Sequence, residues 1–318
     1  MFKKFNIYES EHLFLFESGN AVKNVSRINI NEINPTLDAL LTPLLKELKL
    51  DESDFAKLGS VGKKESSGDI DILLNTEKIA QTHNLTGAES DVLSECSKII
   101  HDTATKLFKD MQIEYSIGLN ITHIAFPIYN KDGVTDRLVQ VDLMVATGKD
   151  GLEFGSFIYH SPNMLNGESK YSGAHRTSFL FALFHFIPLN KGIANTEYFS
   201  EEYDGKNKGD IKAYSKYALS PKGLNIVRKS FMGKTKPTKN PKNLKEFGKF
   251  ITKNPKEITK YALGPNGTIN DLSTFENIVE FIESGKNKDL YAERKNIYNR
   301  WYDANKTMEL PDEIKKYV

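Results

Sequence analysis

Leu58-Gly-Ser-Val-Gly-Lys-Lys-Glu-Ser-Ser-Gly-Asp-Ile-Asp-Ile-Leu-Leu74 is the stretch on which the reading of this chain turns. A short strand candidate, Ala56-Lys57-Leu58, leads into Gly59-Ser60, and Gly62 and Gly68 follow. Glycines here let backbone N–H groups come close to an anion, and Ser60 adds a hydroxyl, so the first half reads as a phosphate cradle. Lys63 and Lys64 add positive charge, although the spacing is not that of a Walker A loop and a solvated lysine pair fits the same residues. The second half alternates acid with apolar residues as a strand does. Asp69 and Asp71 therefore leave one face about 7 Å apart, close enough to bracket divalent cations. Two carboxylates set together repel unless a cation neutralises them, and Mg²⁺ is the economical choice.

Such a site needs a third carboxylate. Asp142 is the lone acid in Leu138-Val-Gln-Val-Asp-Leu-Met-Val145, sharing a face with Gln140 and Met144. An acid in an otherwise apolar strand is costly unless paired or metal-bound, the alternative being a solvated Asp on an edge strand. The surrounding elements read as helix, strand, strand, helix, strand, strand. Asn34-Pro35 looks like a helix start, followed by Leu37, Leu40, Leu41, Leu44, Leu45 and Leu48 at helical spacing. Thr86 and Glu89 form a capping box for a helix reaching about Met111. Strands at 121–128 and 137–145 are joined through Asp132-Gly133, a hairpin signal. The expected fold class is α+β, a mixed β-sheet with flanking helices and a smaller basic C-terminal α/β region.

Gly59-Ser60, then Asp69-x-Asp71, then Asp142, in that order on those elements, resembles the polymerase-β-like nucleotidyltransferase superfamily. The Ser66-Ser67-Gly68-Asp69-x-Asp71 spelling looks especially like its DNA polymerase β branch, although the interval between Gly-Ser and Asp-x-Asp is one residue shorter here. The resemblance covers roughly Asn34 to Ala146. It implies a palm-type sheet and two-metal nucleotidyl transfer from an NTP or dNTP to a hydroxyl. Asp69 and Asp71 would bind both Mg²⁺ ions, for which Mn²⁺ can substitute, and Asp142 the one that activates the attacking hydroxyl. It further implies phosphate contacts from Gly59, Ser60, Ser67, Gly68 and Lys63 or Lys64. Tyr171-Ser-Gly173-Ala-His175-Arg176 is similar to the segment with which this branch contacts the nucleotide sugar, Ala174 replacing the expected Ser. This would place Tyr171, Gly173 and Arg176 at the nucleotide. Tyr217-Ala-Leu-Ser-Pro-Lys-Gly223 resembles the strand and turn that close its thumb subdomain.

Composition fits a folded protein of this kind: 318 residues, 39% hydrophobic, with one cysteine, which cannot form an internal bridge. Cys96 falls on an apolar helical face with Val92, Leu93, Ile99 and Ile100, which favours a buried thiol in a reducing compartment. No apolar run reaches membrane-span length, and the charged N-terminus is unlike a secretory signal, so a cytoplasmic protein is expected. The formal net charge of +1 conceals an asymmetry: Lys206–Lys260 holds 16 Lys and Arg against three acids, a local net of +13. That segment suggests a polyanionic partner, DNA or RNA including tRNA. With one arginine among the 16, phosphate contact is expected rather than base reading. Solubilising surface lysines are the alternative.

Three regions follow: an N-terminal leader or arm (1–33), a catalytic domain (34–155), and a basic substrate-binding domain (156–318), with a soft boundary near Gly151 to Phe157. Lys216–Gly223 and Lys260–Gly267 agree at six of eight positions and read as a duplicated turn unit. Leu290, Tyr291, Ile297, Tyr298, Trp301 and Tyr302 stripe a final helix as packing residues. The seven histidines show no zinc spacing; His175 beside Arg176 is either a phosphate contact or a packing residue. Leu15-Phe16-Glu17 before Ser18-Gly19 resembles leader peptides of tailed-phage head proteins, which would imply host cytoplasm with possible virion association. Two rivals stay open: transfer to a protein or small molecule, and a non-catalytic virion or nucleic-acid-binding protein that keeps the fold.

Overall fold

A computed structural model describes residues 21–186, 214–220, 223–231, 244–304 and 312–315. The chain divides into two compact units, Met1–Thr177 with Ser273–Glu276, and Ser178–Leu272 with Asn277–Val318. In the first unit the elements run β1 (Ile28–Asn29), α1 (Ile30–Leu48), β2 (Phe55–Lys57), β3 (Ser66–Ser67), β4 (Asp69–Asn75), α2 (Glu77–Thr82), α3 (Glu89–Leu107), β5 (Ile113–Ser116), β6 (Ile121–Asn130), β7 (Gly133–Ala146), α4 (Gly148–Ile158) and the start of α5 (Gly173–Phe186).

A five-stranded mixed sheet in the order β2-β4-β7-β6-β5 carries this unit. The acid-bearing strands β4 and β7 lie side by side and parallel, with antiparallel neighbours beyond them. Alternation along β4 sends Ile70, Ile72 and Leu74 into a core shared with α1 and α3, built from Leu37, Leu40, Leu44, Cys96 and Ile100 among others. The opposite face holds a smaller cluster, Leu58, Leu73 and Leu152, where α4 packs. That face also carries Asp69 and Asp71. The expected mixed sheet with flanking helices is observed, and no described helix is long and apolar enough to cross a membrane.

Several boundaries move. Helix α1 starts one turn before Asn34-Pro35, because Glu32 reaches back to the Asn29 N–H at 2.9 Å and closes the helix start. Pro35 and Pro43 then lie inside the helix. An internal proline costs about 3 kcal/mol; burying Ile33, Leu37, Leu40, Leu41, Leu44, Leu45 and Leu48 at about 1.5–3 kcal/mol each offsets it. Helix α3 begins at Glu89 behind Ala88, without a side-chain cap, so Thr86 is not its cap, and it stops at Leu107. Residues 21–33 are no separate arm. Val25 bridges Leu138, β1 pairs with β3, and Ile28 is fully buried. Leu15 to Gly19 lie outside the described residues.

The boundary expected near Gly151–Phe157 falls inside α4. Gly155 there meets the sheet so closely that a Cβ would lie 2.3 Å from Leu73 Cδ2, and this packing ties the helix to the first unit. The division comes at Thr177/Ser178 instead.

The second unit has a three-stranded antiparallel sheet, β8 (Tyr214–Ser220), β9 (Gly223–Phe231) and β10 (Leu244–Thr252), in the order β10-β9-β8. Its described helices are most of α5, α6 (Pro255–Leu263), most of α7 (Phe275–Glu283), α8 (Lys288–Ala304) and α9 (Asp312–Lys315). The stripe on α8 is core as expected: Leu290, Ile297, Tyr298 and Trp301 are fully buried, and the Trp301 indole donates to Ser178 Oγ at 2.8 Å. Tyr291 is exposed.

The two similar octapeptides are not a duplicated unit. The first runs along β8, pairing Tyr217 with Ile226 and Leu219 with Leu224, whereas Lys260 to Leu263 of the second are the last turn of α6. Asn254 caps that helix and Pro255 starts it, so the helix propagates into the repeat from upstream. Of the basic segment Lys206–Lys260, residues 206–213, 221–222 and 232–243 lie outside the described residues.

Candidate functional site

The parallel register sets Asp71 directly beside Asp142 and Asp69 beside Gln140. Neighbouring residues in a parallel pair project to one side, so all three acids share the face that α4 leaves uncovered at this end. Carboxylate oxygens of Asp69, Asp71 and Asp142 lie within 4.8 Å of one another. Burial, and then the Asp69 and Asp142 carboxylates, hold the Asp71 carboxyl well above its ordinary value. Asp69 is raised by burial and then by Asp142, with Arg27 and Lys64 opposing. Three hard oxygen donors crowded at this cost match the donor set of a hard divalent cation. The residues therefore fit a divalent cation.

Asp142 is buried at 3% exposure, not solvated on an edge strand. His123 Nδ1 lies 2.9 Å from its Oδ1, and Ser116 Oγ lies 2.9 Å from His123 Nε2. An ionised carboxylate can only accept, so Nδ1 carries the proton in this contact. Gln140 Nε2 donates to both Asp142 oxygens, at 2.9 and 3.1 Å.

Beside the acids runs a cleft of about 230 Å³, whose lining includes Gly59, Ser60, Lys64, Asp69, Asp71 and Met144 together with Tyr159, Ser161 and residues 172–174 and 177. Gly59 adopts φ +60°, and a Cβ there would come within 2.8 Å of Asp71 Oδ2. Lys63 N–H closes the turn onto the Ser60 carbonyl at 3.0 Å. The lysine pair divides. Lys64 lines the cleft, its ammonium pushed down by burial and then Arg27, while Lys63 Nζ donates to the Ser161 carbonyl at 2.7 Å and is not among the lining residues. Ser67 is buried with its hydroxyl on the Ser60 carbonyl at 3.3 Å, bracing the turn from behind, and Gly68 lies near Arg27.

In the Tyr171–Arg176 segment, Gly173 does reach the cleft, at the N-terminus of α5. Tyr171 is not among the lining residues; its ring packs edge-on against Phe275, centroids 4.8 Å apart. Arg176 turns away from the cleft and is buried. Its guanidinium donates to the carbonyls of Phe157 and Ile158 and stacks over the Phe157 ring, and burial pushes its pKa down to about 9. Those carbonyls end α4, where helix geometry leaves acceptors without partners, so Arg176 caps a helix. Arg176→Met is expected to destabilise the protein by about 2–3 kcal/mol in urea unfolding.

The sequence reading missed five residues. Gln140 and His123 hold Asp142. Arg27 donates to Ser66 Oγ at 3.0 Å and Ser66 O at 2.7 Å beside Lys64 and Asp69. Tyr159 lines the cleft with its phenol held well above its ordinary pKa by burial and then by Asp71. Ser161 is 2% exposed and lines the cleft with its hydroxyl unpaired among the described residues. His160 nearby is kept neutral, its pKa pushed down to about 4 by burial and then by Arg176 and Lys63. The chain matches no known protein family and no curated protein.

Proposed function

We propose that this protein is a Mg²⁺-dependent nucleotidyltransferase of the polymerase-β-like type, joining a nucleoside monophosphate from an NTP or dNTP to a hydroxyl. One observation carries the reading: three carboxylates from two adjacent parallel strands converge beside a Gly-Ser turn and a lysine. Asp69, Asp71 and Asp142 would hold the cations. When bound, such ions lower the pKa of an attacking hydroxyl and balance charge on the phosphoryl group in transfer.

The chain's own residues do the rest. Ser60 and the Gly59 turn offer donors to phosphate oxygens at one end of the cleft, and Lys64 adds the positive charge. His123 and Gln140 keep Asp142 aimed. The basic segment Lys206–Lys260 supports a nucleic-acid 3′ end as the acceptor.

The test is incubation of the full chain with labelled NTPs and dNTPs, Mg²⁺ and DNA, tRNA or protein acceptors. Label on nucleic acid supports the reading in full, and label on protein supports the chemistry with a different acceptor. No incorporation with any acceptor contradicts it. Lys64→Ala is expected to raise the nucleotide KM about tenfold, a phosphate contact being worth roughly 1.4 kcal/mol, and Lys63→Ala to change stability more than KM.

A further inference from the structure

Gln140 is fully buried in β7, and its amide is engaged at both ends. Its Oε1 accepts the backbone N–H of Ala21 at 3.1 Å and of Val22 at 3.4 Å, while Nε2 donates to Asp142. The two ends fix its orientation independently. A peptide N–H needs an acceptor and a carboxylate needs a donor, so flipping the amide would break every one of these contacts. Asp142 already has a donor in His123. What a buried glutamine adds is its second end, which reaches back 119 residues to the chain before α1.

That segment docks on both walls of the acid site. Ser26 gives its N–H and its hydroxyl to the Leu138 carbonyl at 2.7 and 3.1 Å, two residues before Gln140. Ile28 and Asn29 pair with Ser67 and Ser66, and Arg27 ties to Ser66, immediately before Gly68-Asp69. Its buried apolar anchors are Val22 and Ile28. A short segment held by two anchors and a few hydrogen bonds opens more readily than the sheet beneath it.

We propose that residues 21–29 form a strap that assembles the acid site: seated, it holds Gln140, and Gln140 holds Asp142 in position for a cation. Gln140 is then a positioning residue, and its aim depends on chain far away in sequence. Lifting the strap leaves Gln140 Oε1 without donors and Asp142 without its fixed partner, so cation affinity falls. This rests on the metal-site reading above.

The experiment measures Mn²⁺ affinity of the full chain by electron paramagnetic resonance, beside its melting temperature. Proline has no N–H, so Ala21→Pro/Val22→Pro deletes both donors to Gln140. Lys23→Pro is the control, because it deletes the neighbouring N–H that bonds Gln112 instead. The proline pair and Gln140→Met are each expected to weaken Mn²⁺ binding about tenfold or more, as loss of an outer-shell partner does. Combined, they should lose no more than the larger single loss, since both break one linkage. Lys23→Pro should stay within about twofold of wild type. Unchanged affinity in the proline pair, equal loss in Lys23→Pro, or additive losses overturns the strap alone. A wild-type chain that binds no Mn²⁺ overturns the metal-site reading and the strap with it.

Discussion

Asp71→Asn is expected to raise the melting temperature of the metal-free protein while lowering the proposed nucleotidyl transfer by a factor on the order of 10³ or more. The two effects come from one cause. Asp71 sits among carboxylates of Asp69 and Asp142 on a partly buried face, and burial followed by those neighbours holds its carboxyl well above 3.8. Ionising it there costs folding free energy, which a bound cation returns; asparagine, of the same shape, avoids the cost and cannot bind the cation as tightly. The pH dependence has a definite sign. A carboxyl whose folded pKa is raised binds its proton more tightly in the folded chain than in the unfolded one. The metal-free protein therefore loses stability as pH rises from its unfolded value, near 3.8, through the raised folded values of Asp69 and Asp71, and the full cost is present above them. A series of thermal melts against pH in chelator should show this fall for wild type and a shallower one for Asp71→Asn. Adding Mg²⁺ or Mn²⁺ should stabilise the wild type and barely move the variant. A variant that melts lower than wild type without metal, or that keeps its activity, would sink the assignment.

Gly59→Ala is expected to damage the site nearly as much, although it removes no charge. Alanine at φ +60° costs about 1–2 kcal/mol in backbone energy. Its methyl would also fall 2.8 Å from Asp71 Oδ2, inside van der Waals contact, and the carboxylate or the turn must move. Displacing a reacting group by about 1 Å costs on the order of 10²-fold in rate. Activity should fall by that factor, with weaker Mn²⁺ binding and a modestly lower melting temperature. Gly62→Ala makes the useful comparison, since Gly62 also has positive φ, at +73°, but a Cβ there meets nothing within 4 Å. It should share the backbone cost and spare the activity. Equal losses in both variants would show that turn conformation, not contact with Asp71, is what matters.

Much of the acid site was legible because its signals are local. Alternation placed Asp69 and Asp71 on one face of a strand, and the solitary acid in 138–145 marked Asp142. Gln140 was recognisable as lying on the same face as Asp142, but not as its partner. His123 was hidden for a geometric reason. Counting outward from the hairpin at Asn130–Gly133 sets Asp142 opposite Ile121, yet an irregularity between Pro127 and Tyr129 shifts the register by two residues and brings His123 there instead. Arg176 was misread because a lone arginine in a motif-like segment does not disclose that its charge is spent on the carbonyls ending α4. The octapeptides show the same limit, since identical residues extend a strand in one context and finish a capped helix in the other.

The amino-acid order by itself determined what depends on neighbours a few residues apart: the strand bearing Asp69 and Asp71, the hairpin, the apolar faces of α1 and α8, and the basic charge of 206–260. Tertiary structure decided which distant groups meet. Parallel register sets Asp142 against Asp71, a strand irregularity brings up His123, and chain from before α1 reaches Gln140. Such meetings are selected by burying the sheet's apolar face as a whole, and no short window of sequence contains that sum.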